Sequence, residues 1–374
     1  MHKVLFIAGT RPEVIKMAPV VKAAVSNLEP IFVLTGQHRE MAKQVLSAFD
    51  LQPERDLDIM VPGAGLGALS SRLIKRFDAY LEDSKPEMVV VQGDTSSAAL
   101  IGLVSFYRQV PVAHVEAGLR SYDNYSPFPE EVNRKIVSTY ATLNFPPTQL
   151  AKANLIQEHV PEQTMVVTGN TVVDALQMLR KRLPPKHPHK KRRILVTTHR
   201  RESWAIKIRH ICEALLEITR RNTDVYITFP VHKNPIVARQ VHSVLDGHPG
   251  IELTEPLDYL KLQEMLATSY LVMTDSGGIQ EEAPSYGVPV LVLRRVTERP
   301  EAVNAGLAEV VGTDKTAIVD CCQKFLDDKE AYRNASQRKN PFGDGRASHR
   351  IVQAIARYLD GHRTLKGEYG EFRG

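Results

Sequence analysis

Three cysteines in 374 residues are too few for a disulfide framework, and two of them, Cys321 and Cys322, are neighbours. No cysteine and histidine spacing suggests zinc. No apolar run approaches the roughly 18 residues of a membrane span, so no membrane partner is expected. The opening "MHKVLFIAGTRPE" lacks a signal-peptide cleavage pattern, and a cytoplasmic protein is expected. Hydrophobic content of 43% and charged content of 24% are those of an ordinary globular chain.

The net charge of +5 invites a nucleic-acid partner, but its location argues against one. Seven Lys and Arg and no acid lie in "KRLPPKHPHKKRR", Lys181 to Arg193, so the remainder of the chain is slightly acidic. With its three prolines this segment reads as an exposed linker and as the domain boundary.

Short apolar runs alternate with amphipathic stretches of helical period on both sides of the linker. "KVLFIAG", "IFVLTG", "MVVVQGD", "PVAHVEAG" and "MVVTGN" read as strands before it, and "RILVTTH", "VYITFPV", "YLVMTDSG" and "PVLVLR" after it. This β and α alternation predicts an α/β protein of two Rossmann-like doubly wound domains, facing each other across a cleft. The expected domains are residues 1–180 and 190–350, with a C-terminal helix in 351–374 packing back on the first. "GAGLG", Gly63 to Gly67, does not follow a long buried strand and reads as a plain loop.

Several strand ends carry residues able to do chemistry, where open α/β sheets place their ligands. In "TDSGGIQEEAPSYGVPVLV", Ser276, Gly277 and Gly278 begin a helical pattern, a setting that favours phosphate. One turn on, Glu281 or Glu282 could accept hydrogen bonds from ribose hydroxyls. Arg11 and Lys16 in "GTRPEVIKMAP" bring positive charge, with Pro12 suited to a first helical position. Asp94, Glu116 and Glu130 cluster near one sheet edge, with Arg134 one turn beyond Glu130 and able to fix its carboxylate. Three acids there suit proton transfer, and also a metal site or helix caps. "THRRES" offers His199 as an acid toward a phosphate oxygen, beside Arg200; His232 and the "TERPEAV" stretch with Arg299 complete the set.

The set resembles the non-hydrolysing UDP-N-acetylglucosamine 2-epimerases of bacteria. "GTRPEVIKMAP", "GQHREM", "QGDT", "HVEAGLRS", "PFPEEVNRK", "HRRES", "PVHKNP", "TDSGGIQEEAP", "TERPEAV" and "NPFGDGRAS" look like that family's blocks in the same order, over nearly the whole chain. The resemblance implies the glycosyltransferase-B architecture and reversible epimerisation at C2 of UDP-N-acetylglucosamine, by anti elimination of UDP and re-addition through 2-acetamidoglucal. It implies Asp94, Glu116, Glu130 and His199 as catalytic residues. UDP-sugar binding falls to Arg11, Lys16, Arg134, Ser276, Gly277, Gly278, Glu282 and Arg299. UDP-N-acetylglucosamine and UDP are the implied partners, no cofactor or metal is implied, and a homodimer is expected.

Gln37, His38, Arg200 and His232 match part of the family's activator site for a second UDP-N-acetylglucosamine, and read as a remnant of it. Glu40 stands at a usual glutamine, and Gly63 to Gly65 lie where an Arg-Gln pair is common. A hydrolysing 2-epimerase and an epimerase of a related UDP-diacetamido sugar are the nearest alternatives. A UDP-sugar-binding regulator and a glycosyltransferase are more distant ones.

Overall fold

The computed structural model describes residues 1–36, 39–61, 63–183, 191–198, 206–362 and 370–374. The chain divides into two compact units, the first built from Met1–Leu179 and Phe342–Gly374, the second from Arg180–Pro341.

The first unit alternates β1 (Lys3–Ala8), α1 (Arg11–Ala24), β2 (Glu29–Leu34), α2 (Arg39–Ala48), β3 (Arg55–Asp56), α3 (Leu66–Ser84), β4 (Met88–Gln92), α4 (Ser96–Tyr107), β5 (Val112–Val115), α5 (Glu130–Tyr140), β6 (Leu143–Phe145), α6 (Gln149–Gln157) and α7 (Thr171–Arg180). Its strands are parallel in the order β3-β2-β1-β4-β5-β6. That order reverses direction between β1 and β4, where doubly wound sheets open a crevice for ligands. Strands such as β4, "MVVVQ", are buried along their whole length because helices cover both faces. Leu5, Val33, Phe77, Val89 and Ile101 belong to one of its apolar clusters.

The second unit runs β7 (Arg192–Thr197), α8 (Ile206–Arg221), β8 (Val225–Pro230), α9 (Pro235–Leu245), β9 (Ile251–Thr254), α10 (Tyr259–Thr268), β10 (Leu271–Thr274), α11 (Gly277–Glu282), β11 (Val290–Val292), α12 (Pro300–Asn304), β12 (Ala308–Val310), α13 (Lys315–Asp327) and α14 (Lys329–Ser336). Its sheet order, β12-β11-β10-β7-β8-β9, is the first unit's order read from the other edge. β7 and β10 are therefore its central pair, as β1 and β4 are in the first. The fold class is the expected one, two Rossmann-like doubly wound units in one chain.

The chain returns to the first unit at Phe342 and ends in α15 (Ala347–Leu359), which packs on α1. Asp174 of α7 accepts the backbone N–H groups of Ala347 (3.2 Å) and Ser348 (2.8 Å), satisfying donors that the first turn of α15 leaves open. Arg350 then forks onto Asp344 and donates to the carbonyl of Thr168.

Two readings of local structure are corrected. "MVVTGN" forms no strand: only Met165 bridges to Asn144, and the Val167 carbonyl accepts from Phe372 instead of a ladder partner. "GAGLG" is not wholly loop, since Gly65 precedes α3 and Leu66 and Gly67 lie in its first turn. Among the described residues no helix is long and apolar enough to cross a membrane.

Candidate active site

In the first unit, candidate side chains stand at the ends of β4 and β5, beside the point where the sheet reverses. β4 ends at Gln92, and a turn through Gly93 (φ 71°) delivers Asp94 to the start of α4. Oδ2 of Asp94 accepts from Arg134 through Nε (2.9 Å) and its second terminal nitrogen (2.7 Å). Arg134, one turn beyond Glu130, also donates to Glu131 at 3.0 Å. Glu131 faces inward and is fully buried, while Glu130, one residue round the helix, is only half-buried. Glu131 also accepts the backbone N–H groups of Ser121 (2.9 Å) and Tyr122 (3.0 Å), pinning the loop that precedes α5.

Glu116 leaves β5 with φ 65°, a left-handed conformation that costs about 1–3 kcal/mol for a residue with a side chain. Its Oε2 takes three donors: the ammonium of Lys16, the amide of Gln92 (3.2 Å) and the amide of Asn170 (3.3 Å). The Lys16 and Glu116 side chains are only 11% and 8% exposed, so this is a desolvated ion pair with added hydrogen bonds. Lys16, expected on the substrate, is thus engaged by a carboxylate of the same unit. Arg11 stands half-buried at the first position of α1 and makes no hydrogen bond or ion pair among the described residues.

Behind these acids, His114 is fully buried on β5, with Nε2 held to the Gly93 carbonyl at 2.8 Å. Burial is the main reason its pKa falls to about 4; the Gly93 carbonyl opposes the shift. A neutral imidazole with its proton on Nε2 fits this contact, and it fixes the turn that carries Asp94.

In the second unit β10 ends in a turn whose backbone is braced from several sides. Ser276 caps α11, its N–H bonds Thr274 Oγ1 (3.0 Å), and its carbonyl accepts from Gln280 (3.1 Å). Thr297 donates to Gln280 (2.6 Å) and accepts the N–H of Arg299 (3.1 Å), tying the "TERP" loop to that helix. A Cβ added to Gly277 would stand 3.7 Å from the Arg299 guanidinium, so bare backbone and a cation lie side by side. Glu281 and Arg299 form a buried ion pair. Glu282 is held by the amide of Gln263 (2.7 Å), which is oriented in turn by Tyr286 (3.0 Å). Of the two candidate acids, Glu281 therefore serves the arginine. An anion binds such a turn through backbone N–H groups and the neighbouring cation.

Of the activator remnant, His232 is described, and its Nδ1 accepts the N–H of Asn234 at 3.1 Å. Gln37, His38, His199 and Arg200 lie outside the described residues. In the first unit, Arg72 and Lys75 border an apolar pocket of about 460 Å³ walled by Ile59, Val61 and Leu69.

Sequence reasoning missed Glu13, Gln92, His114, Glu131 and Asn170. Two of them carry a signal. Thr10 and Glu13 have the spacing of a capping box, and Asn170 stands just before a helix, where asparagine caps.

The sequence profile of the UDP-N-acetylglucosamine 2-epimerase family matches residues 22–356. The UDP-N-acetylglucosamine 2-epimerase of Yersinia pestis is 46% identical over 94% of this chain and 98% of its own. A crystal structure of the Neisseria meningitidis UDP-GlcNAc 2-epimerase bound to UDP-GlcNAc superposes with a TM-score of 0.88 at 39% identity, covering 95% of this chain and 100% of that one. The S. aureus MnaA–UDP complex superposes with a TM-score of 0.89 at 44% identity, covering 99% and 100%. With its two matching sheets, its carboxylates and its glycine turn accounted for, the chain belongs to the UDP-N-acetylglucosamine 2-epimerase family.

Proposed function

We propose that this protein interconverts UDP-N-acetylglucosamine and UDP-N-acetylmannosamine without hydrolysing them. A carboxylate removes the proton at C2, the bond from C1 to the UDP oxygen breaks on the opposite face, and a C1–C2 double bond forms. UDP then re-adds at C1 while a proton is delivered to C2 from the other side. The single observation that carries the reading is the geometry of Glu116: a carboxylate in a left-handed backbone, with three donors on one oxygen. Such over-determined geometry is what a base acting on a weakly acidic C–H requires.

Asp94, Glu116 and Glu130 supply the proton transfers, and Arg134 orients Asp94. Ser276, Gly277, Gly278 and Arg299 hold the diphosphate and Glu282 the ribose, and Arg11 contributes a cation to binding of the UDP-sugar. His199 acts beside the leaving diphosphate. The relatives crystallised with UDP and with UDP-GlcNAc support this ligand choice. No cofactor takes part, the setting is cytoplasmic, and the active form is a homodimer, which light scattering checks.

Phosphorus NMR of the reaction with UDP-N-acetylglucosamine tests the reading. A second nucleotide-sugar diphosphate pair should grow to a stable ratio. Stoichiometric release of UDP with free N-acetylmannosamine would instead place the protein with the hydrolysing enzymes.

A further inference from the structure

In a doubly wound sheet the turn after the first strand is a common phosphate seat, because its backbone N–H groups converge. In the first unit that seat is filled from within. Glu13 is 4% exposed; its Oε2 accepts the N–H groups of Gly9 (2.9 Å) and Thr10 (2.6 Å), and its Oε1 accepts the hydroxyl of Thr95 (2.6 Å). Burial raises its pKa, against the pull of those donors. Thr95 is the residue after Asp94, and its Oγ1 also accepts the N–H of Ala98 (3.1 Å) as the cap of α4. One carboxylate thus ties the turn that carries Arg11 to the turn that carries Asp94. Other restraints on that second turn include the Gly93 N–H on the Val115 carbonyl (3.0 Å), His114 on the Gly93 carbonyl, Asn133 on the Asp94 carbonyl (2.9 Å) and Arg134 on Oδ2. Glu13 reaches it from α1.

We propose that Glu13 is a positioning residue for the epimerisation: through Thr95 it fixes Asp94 at the point of proton transfer. This rests on the role given to Asp94 above. A glutamine at this position has one acceptor oxygen for two sites, so it faces either the two N–H groups or the Thr95 hydroxyl with the wrong group.

The experiment is a double-mutant cycle with Glu13→Gln and Thr95→Val, read as kcat, KM and UDP affinity. Each single change should lower kcat at least tenfold with KM within threefold, and Thr95→Val, which leaves the Arg11 turn bonded to Glu13, should keep UDP affinity unchanged. The double variant should be no slower than the slower single, because both remove the same link. Thr95→Ser, which keeps the hydroxyl, should retain kcat. If Glu13→Gln fails to fold, the two Thr95 variants still decide. Wild-type kcat in Thr95→Val, multiplicative losses in the double variant, or a parallel loss of UDP affinity in Thr95→Val would overturn the proposal alone. A wild-type protein that does not epimerise would overturn the reading of the site, and this proposal with it.

Discussion

At the scale of single residues, charge and geometry at Glu116 should govern turnover. Glu116→Gln keeps the shape and removes the base, so kcat should fall by about 10²–10⁴-fold while UDP binding survives. Asn170→Asp is a finer test. Oδ1 of Asn170 accepts the Val172 N–H (3.0 Å), a contact aspartate keeps, but its amide donor to Glu116 becomes a second anion. Losing a charge-assisted bond of about 1.5–3 kcal/mol and placing a second buried anion beside Glu116 predict a drop of tenfold or more in kcat together with a lower melting temperature. Equal turnover in Asn170→Asp and wild type would remove the amide from the argument.

His114 supplies a pH signature. Its folded pKa of about 4 lies below the ordinary 6.5, so between those values the unfolded chain binds the extra proton and stability falls as pH drops. The full effect is about 3 kcal/mol. Glu13 and Asp174 act oppositely, since burial raises both carboxyl pKa values and the folded state takes up their protons first. Comparison with His114→Gln isolates the imidazole: the wild type should lose melting temperature relative to the variant as pH falls from 6.5 toward 4.5. Parallel profiles would contradict this assignment. The positions of Asp94, Glu116 and Glu130 were legible in the sequence because each follows a strand-like run or opens a helix. Of the residues around them, Arg134 and Lys16 were legible and Gln92 and His114 were not. Gln92 lies inside a buried strand and His114 inside another, where a polar residue looks the same whether it is functional or merely satisfied.

At the scale of elements, the long central strands β1, β4, β7 and β10 announce themselves as apolar runs, while β3, β6, β9 and β12 do not. The last four are two to four residues long, and all four are edges of their sheets. So short a ladder needs no recognisable pattern, since its neighbour supplies the pairing. "MVVTGN" fails in the opposite sense, for its apolar residues are buried without a complete ladder. The loop leaving β5 depends on Gly118, at φ 87°, where an added Cβ would lie 2.2 Å from the carbonyl oxygen of Ala151 in α6. Backbone strain and overpacking together predict that Gly118→Ala destabilises by about 2–5 kcal/mol, measurable by urea denaturation. Since that loop begins at Glu116, the fraction still folded should also turn over more slowly.

At the scale of the whole molecule, two units with matching sheet order present different faces to chemistry. The first carries the candidate acids Asp94, Glu116 and Glu130 and the second a glycine turn beside an arginine. UDP alone should therefore protect the second unit from hydrogen exchange, most strongly around residues 275–282 and 297–299. At a hundredfold excess over Kd the ligand adds about 2.7 kcal/mol of stability. The departures at Glu40 and Gly63 to Gly65 add a kinetic expectation: a weakened activator site should give a near-hyperbolic rate curve and no lag with pure UDP-N-acetylmannosamine. A lag abolished by trace UDP-N-acetylglucosamine would show that another cation, such as Arg72, restores activation.

The central claim is that a carboxylate of the first unit removes the C2 proton and that UDP departs and returns. Proton NMR in deuterated water measures this directly. Incubation with UDP-N-acetylglucosamine should place deuterium at C2 of both the substrate and the manno epimer, and Glu116→Gln should suppress exchange and epimerisation together. Epimerisation with the original proton retained at C2 would contradict the account.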